Sequence, residues 1–226
     1  MSSTPPNPSA RPARKGGWIA CAVGLGLVAV MTVAVAQNES PYFNWDLRVS
    51  QAVQSTSSPG VERLMRAVSL AGDNLFLSGA LVGLASLGLV ALRARREAAF
   101  LLGVVLVGQG LKVGLKNLIG RPRPSADVVN VLLEDVKEVY SFPSGHTVHY
   151  VVFFGFLCYL TFSLVKIPWL RWPLLTLFGG LVVLVGVARV YLGAHWVSDV
   201  VGGYLLGGAV LAAGVGLYHR DGKPAG

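Results

Sequence analysis

The chain has 226 residues, 53% of them hydrophobic and 13% charged, with a mean hydropathy of +0.59 and a net charge of +8. So little charge cannot cover a water-soluble domain of this size, which excludes the soluble globular class and puts the membrane class first. The excess of 19 Lys and Arg over 11 Asp and Glu would suit nucleic acid, but the basic residues fall between apolar runs and form no stripe interleaved with aromatics. No nucleic-acid partner is expected.

Residues 1–16, rich in Ser, Pro and Arg and without an apolar period, are expected to form a disordered tail. Apolar segments follow at 17–36, 74–92, 98–118, 146–165, 173–192 and 197–217, each near the ~20 residues a helix needs to cross the hydrocarbon core. The expected fold is all-α: one polytopic bundle of six transmembrane helices over 17–217, with a short tail at 218–226. Gly202, Gly203, Gly207 and Gly208 would let helix backbones approach closely where water supplies no drive for association. The first run follows Arg14-Lys15 and ends in Ala34-Val35-Ala36, as a signal peptide would, yet it is longer than the ~7–15 residues of such a core. Its retention as the first span is the expectation, and its cleavage would leave five. Cys21 and Cys158 both lie inside apolar runs, as packing residues rather than a disulfide or zinc ligands.

The basic residues Arg11, Arg14, Lys15, then Arg93, Arg95, Arg96, then Lys166, Arg171, then Arg220, Lys223 fall on one side of such a bundle. By the positive-inside rule that side is cytoplasmic and holds both termini, as in a multi-pass protein of the plasma membrane. The other side receives segments 37–73 and 119–145, with Glu39, Asp46, Glu62, Glu134, Asp135 and Glu138. Within 42–70, Leu47, Val49, Val53, Val61, Leu64, Met65 and Val68, interrupted from Ser55 to Gly60, predict two short helices near the outer interface.

Three clusters on that outer side carry chemistry. Lys116 and Arg123 are separated by a break that Pro122 and Pro124 impose on the helix, so two cations converge at the mouth of the third span, either for an anion or as helix-end anchors. Arg121 is expected at the surface or among lipid headgroups, and Lys112, one turn deeper, either snorkels or supports the site from behind. Pro143-Ser144-Gly145-His146 opens a long apolar helix whose N–H groups and dipole would cradle an anion. Ser144 would cap that helix or donate to a phosphate oxygen, and Gly145 would let an oxygen approach the backbone. An ordinary cap explains these residues but not His146. His149 reads as packing or support, since no third metal ligand is evident. Lastly, His195 and Asp199, four apart on one helical face, would let the carboxylate hold one ring N–H and leave the other nitrogen to attack. Arg189 adds a third cation; a plain Arg189–Asp199 salt bridge is the alternative. The joint pattern, three cations, two imidazoles, a carboxylate and a helix terminus on one side, favours an active site.

The segments Lys116 to Arg123-Pro124, Pro143-Ser144-Gly145-His146 and Arg189 to His195 to Asp199 resemble the three signature motifs of the type 2 phosphatidic acid phosphatase (PAP2) superfamily, and the flanking hydropathy resembles its six-helix membrane branch. The resemblance implies that His195 is the nucleophile, forming a phosphohistidine, that Asp199 orients it, and that His146 protonates the leaving oxygen and then activates water. It implies phosphate binding by Lys116, Arg123, Ser144, Gly145 and Arg189, with no metal and no cofactor. One departure stands at Ala188, where the family pattern has Ser. A site beside membrane spans favours a lipid phosphate presented from the bilayer: a prenyl diphosphate, phosphatidylglycerophosphate, phosphatidic acid or a lipid A phosphate. A lipid phosphotransferase using the same phosphohistidine is the alternative among enzymes, and a lipid or anion transporter is the alternative outside them.

Overall fold

The computed structural model describes residues 10–56, 58–133 and 139–220, with side chains from residue 16 onward. Their regular structure is helical: α1 (Ala10–Ala36), α2 (Asn44–Gln54), α3 (Pro59–Asp73), α4 (Leu75–Ala91), α5 (Arg95–Ile119), α6 (Gly145–Leu164), α7 (Pro168–Tyr191) and α8 (Val197–Arg220). The first helix begins at Ala10, so it extends into the stretch expected as a disordered tail; residues 1–9, the C-terminal tail from 221, and Glu134, Asp135 and Glu138 lie outside the described residues.

Five helices, α1, α5, α6, α7 and α8, are each long and apolar enough to cross a membrane, and a sixth crossing is reached if α3 and α4 count as one span broken by a 74° bend. With 17 residues, α4 is about 25 Å long, roughly a turn short of a ~30 Å hydrocarbon core. The bend is written locally. Ser58 accepts from the Val61 N–H at 3.2 Å with Pro59 at the first helical position, which starts α3. Asn74 then leaves helical geometry and its side chain accepts from the Phe76 N–H at 2.7 Å, starting α4 in a new direction. The two short helices expected in 42–70 are α2 and α3.

At the centre, α6 packs against α5, α7 and α8, and α1 lies on α8. The α6–α8 contact is close because α8 is bare where α6 carries the second cluster. A Cβ on Gly203 would lie 2.8 Å from Thr147 Cβ and 2.9 Å from the Ser144 carbonyl oxygen, and one on Gly207 would lie 2.7 Å from Val151 Cβ. Ordinary carbon contacts need about 3.5–4 Å. The neighbouring Gly208 has open space beside it, so its expected role in close packing is not met.

All three clusters gather at one end of the bundle, where α5 and α7 finish and α6 and α8 begin. The α7–α8 turn that carries His195 depends on Gly193, with φ at +68°, because a Cβ there would overlap the Asn130 carbonyl oxygen. The same loop is tied down by the Leu132 N–H donating to the Leu192 carbonyl at 3.1 Å. Gly193→Ala is therefore expected to destabilise the protein by about 2–3 kcal/mol, from a left-handed alanine and a displaced loop. Thermal unfolding in detergent measures the effect; an unchanged midpoint would contradict the role given to this turn.

Candidate active site

His195 is 1% exposed and sits between two kinds of partner. A guanidinium nitrogen of Arg123 lies 3.3 Å from its Nε2, and since a guanidinium can only donate, that nitrogen carries the lone pair. The ring proton is then on Nδ1, which faces the Ser141 hydroxyl at 3.3 Å and Asp199 Oδ2 at 3.5 Å. Ser141 donates to the same Oδ2, so the expected carboxylate–imidazole contact is relayed in part through a serine. Burial lowers the His195 pKa well below the ordinary value of 6.5, and the positive charges of Arg123, Lys116, Arg189 and His146 push it the same way. Groups from all three clusters thus act on one neutral imidazole.

The cations are held by backbone and acid partners. Lys116, 5% exposed, donates to the Tyr140 carbonyl at 2.5 Å, and Arg123 also donates to the Ala194 carbonyl at 2.7 Å. Arg189 is not the partner of Asp199. It donates to Ser69 Oγ at 2.6 Å and to Asp73 Oδ1 at 2.9 Å, both on α3. His146 Nε2 meets that same Oδ1 at 2.8 Å, and Gly72 lies flush against its ring, where a Cβ would overlap Cδ2. Burial tends to raise the Asp73 pKa, but the His146 hydrogen bond and charge, the Arg189 charge and the Ser69 hydroxyl outweigh it and hold the carboxyl below its ordinary 3.8. The end of α3 therefore forms a wall of the site.

Ser144 is fully buried and caps α6: its oxygen accepts from the Thr147 hydroxyl at 3.0 Å and faces the Thr147 N–H at 3.5 Å. Its own N–H donates to the Asp199 carbonyl at 2.9 Å, which joins the start of α6, with Gly145 and His146, to the start of α8. His149 lies away from this chemistry, 3.2 Å from the Gln109 amide and stacked on Phe153 with centroids 5.6 Å apart. Cys21 and Cys158 are free thiols. Ala188 is fully buried, in the turn before Arg189.

The expectation for Arg121 fails. Rather than facing lipid headgroups it is 5% exposed and reaches inward to Asp199 Oδ1 at 2.6 Å and Asp46 Oδ2 at 2.9 Å. Asp46, one of the outer acids, is fully buried on α2. Sequence reasoning also missed Ser141, Ser69 and Asp73. The signals were faint: a second Arg-Pro beside the first, and an acid next to the Asn that breaks α3 from α4.

The PAP2 superfamily profile matches residues 97–223, more than half of the chain. The chain is 29% identical over 181 residues to phosphatidylglycerophosphatase B of Bacillus subtilis (strain 168), covering 78% of this chain and 85% of that protein. It is 34% identical over 107 residues to lipid phosphate phosphatase delta of Arabidopsis thaliana, covering 43% of this chain and 25% of that one. Among solved structures, it resembles the transmembrane PAP2 type phosphatidylglycerolphosphate phosphatase of Bacillus subtilis with a TM-score of 0.75 at 24% identity, over 90% of this chain and 98% of that one. Aquifex aeolicus LpxE superposes with a TM-score of 0.55 at 21% identity, over 78% and 96%. The three clusters around one buried imidazole, the profile spanning them and the shared helical fold have a single reading: the chain belongs to the PAP2 superfamily.

Proposed function

We propose that the protein hydrolyses a lipid phosphomonoester or diphosphate at the outer face of the plasma membrane through a phosphohistidine on His195. The observation that carries this reading is the setting of His195: a buried imidazole whose Nε2 lies 3.3 Å from the Arg123 guanidinium while its Nδ1 faces Ser141 at 3.3 Å and Asp199 at 3.5 Å. Nε2 attacks phosphorus, and the bond from phosphorus to the lipid oxygen breaks. His146 gives that oxygen its proton, so the lipid leaves as an alcohol, or as a monophosphate from a diphosphate. Water then attacks the phosphohistidine, His146 takes the water's proton, and the P–N electron pair returns to Nε2 as inorganic phosphate forms.

Charge on the equatorial oxygens is met by Lys116, Arg123 and Arg189, by the Ser144 hydroxyl and by the Gly145 N–H at the start of α6. These cations do the electrostatic work a metal would otherwise do. Among the described residues no three His, Cys, Asp or Glu converge as metal ligands. The outer-face assignment rests on the basic residues at the opposite ends of the spans, Arg93, Arg95, Arg96, Lys166, Arg171 and Arg220.

Phosphatidylglycerophosphatase B of Bacillus subtilis is similar over 78% of the chain, so phosphatidylglycerophosphate heads the substrate panel, followed by prenyl diphosphate, phosphatidic acid and lipid A phosphate. Purified protein in detergent is expected to release inorganic phosphate from at least one of these, at the same rate with and without EDTA. No release from any member would overturn the proposal, and loss of turnover in EDTA restored by a divalent cation would overturn its metal-independent form.

A further inference from the structure

Arg121 stands two residues from Arg123, yet four of its five N–H groups are committed to protein. Nη1 donates to Asp199 Oδ1 and to Ser198 Oγ, each at 2.6 Å, Nη2 to Asp46 Oδ2 at 2.9 Å, and Nε to the Pro41 carbonyl at 3.0 Å. The two oxygens of Asp199 divide their work accordingly. Oδ1 takes Arg121, while Oδ2 takes the Trp196 N–H at 2.9 Å and the Ser141 hydroxyl and faces His195 Nδ1 at 3.5 Å. With no exposure at all, Asp199 keeps its charge only with a cation and donors at hand, and Arg121 is the guanidinium bonded to it. On the far side, Asp46 binds Arg121, and it also accepts from the Ser198 N–H and hydroxyl, each at 2.7 Å, at the first turn of α8.

We propose that Arg121 is a positioning residue for the reaction, fixing Asp199 as an oriented, ionised carboxylate behind His195, with Asp46 of α2 fixing Arg121 in turn. A helix outside the membrane-length bundle thereby reaches the reacting imidazole through the chain Asp46, Arg121, Asp199. The inference rests on the reading of His195 as nucleophile. It gives the two arginines of the first cluster separate tasks, Arg123 at the phosphate and Arg121 at the carboxylate.

The test compares R121K, R121A and D46N with the wild-type chain for lipid phosphate turnover, orthovanadate inhibition and thermal unfolding in detergent. Because the N–H groups of Arg121 are committed to protein, R121K is expected to lower kcat by about 100-fold while KM and the vanadate inhibition constant move by less than about threefold. D46N should lower kcat by about tenfold, and millimolar guanidinium should restore part of the activity of R121A. Should R121A not fold, R121K and D46N, which keep a cation or the cation's own contacts, carry the test. A loss of vanadate binding as large as the loss of kcat would make Arg121 a phosphate ligand and overturn the proposal. So would wild-type kcat in folded R121K, or a kcat in every variant that falls only with the folded fraction. Wild-type turnover is the control: its absence on every lipid sinks the functional reading itself, whereas its presence with an unimpaired R121K sinks only the role of Arg121.

Discussion

Replacing His195 with Ala is expected to lower turnover by about 10⁴-fold or more and to abolish acid-labile labelling of the protein by a ³²P-lipid phosphate. The size follows from what is removed. A nucleophile that works by a covalent intermediate has no substitute among its neighbours: Arg123 and Lys116 carry no free pair at neutral pH, and Ser141 already donates to Asp199. The phosphate-binding cations remain in H195A, so vanadate should still bind, and the fold should persist because the loss is one buried ring at a turn held by Gly193 and the Leu132–Leu192 hydrogen bond. The depressed pKa has its own consequence. Because the reactive form is the unprotonated ring and burial keeps it so, the fall of kcat/KM on the acid side of the wild-type profile should begin well below the ~6.5 of a free imidazole. Residual activity in H195A within about tenfold of wild type would end the nucleophile assignment.

The parts of the fold and site legible in the sequence were those where one residue type has one physical use. Twenty-residue apolar runs have few destinations, and a carboxylate in the first turn of a helix lies within reach of a histidine four residues earlier, although His195 stands in the turn before α8 rather than on its face. The two short helices before Leu75 were legible for the same reason, from apolar spacing interrupted at Ser55 to Gly60. What was not legible depends on long-range placement. Asn74 beside Asp73 hints at a break, but not that α3 will bend by 74° there and lay that carboxylate between His146 and Arg189. Arg121 illustrates the same limit more sharply. Its neighbours in sequence are those of Arg123, and only the approach of α2 and α8 turns one guanidinium toward His195 and the other toward two buried carboxylates. The salt bridge weighed for Arg189 and Asp199 failed likewise, each finding a partner some 75 to 120 residues away along the chain.

The second large effect is expected at His146, and it should depend on the leaving group. For a lipid phosphomonoester the departing alkoxide needs a proton as its bond breaks, so H146A should lose about 10²–10⁴-fold in turnover, the usual range for a positioned acid. A nitrophenyl phosphate departs as a stabilised phenolate and needs no such help, so its first step should stay fast in H146A. Its second step should not, because hydrolysis of the phosphohistidine needs a base to take the proton of water. The variant should therefore release about one nitrophenolate per active site in a burst and then turn over slowly, with phosphohistidine accumulating. Asp73 sharpens this expectation. Its Oδ1 meets His146 Nε2 at 2.8 Å and Arg189 at 2.9 Å, which fixes the ring that passes a proton in both steps. A burst in H146A together with slow lipid turnover assigns acid and base to one residue. Equal losses on the two substrates without a burst would mean that His146 only binds phosphate, and that the proton reaches the leaving oxygen by another path.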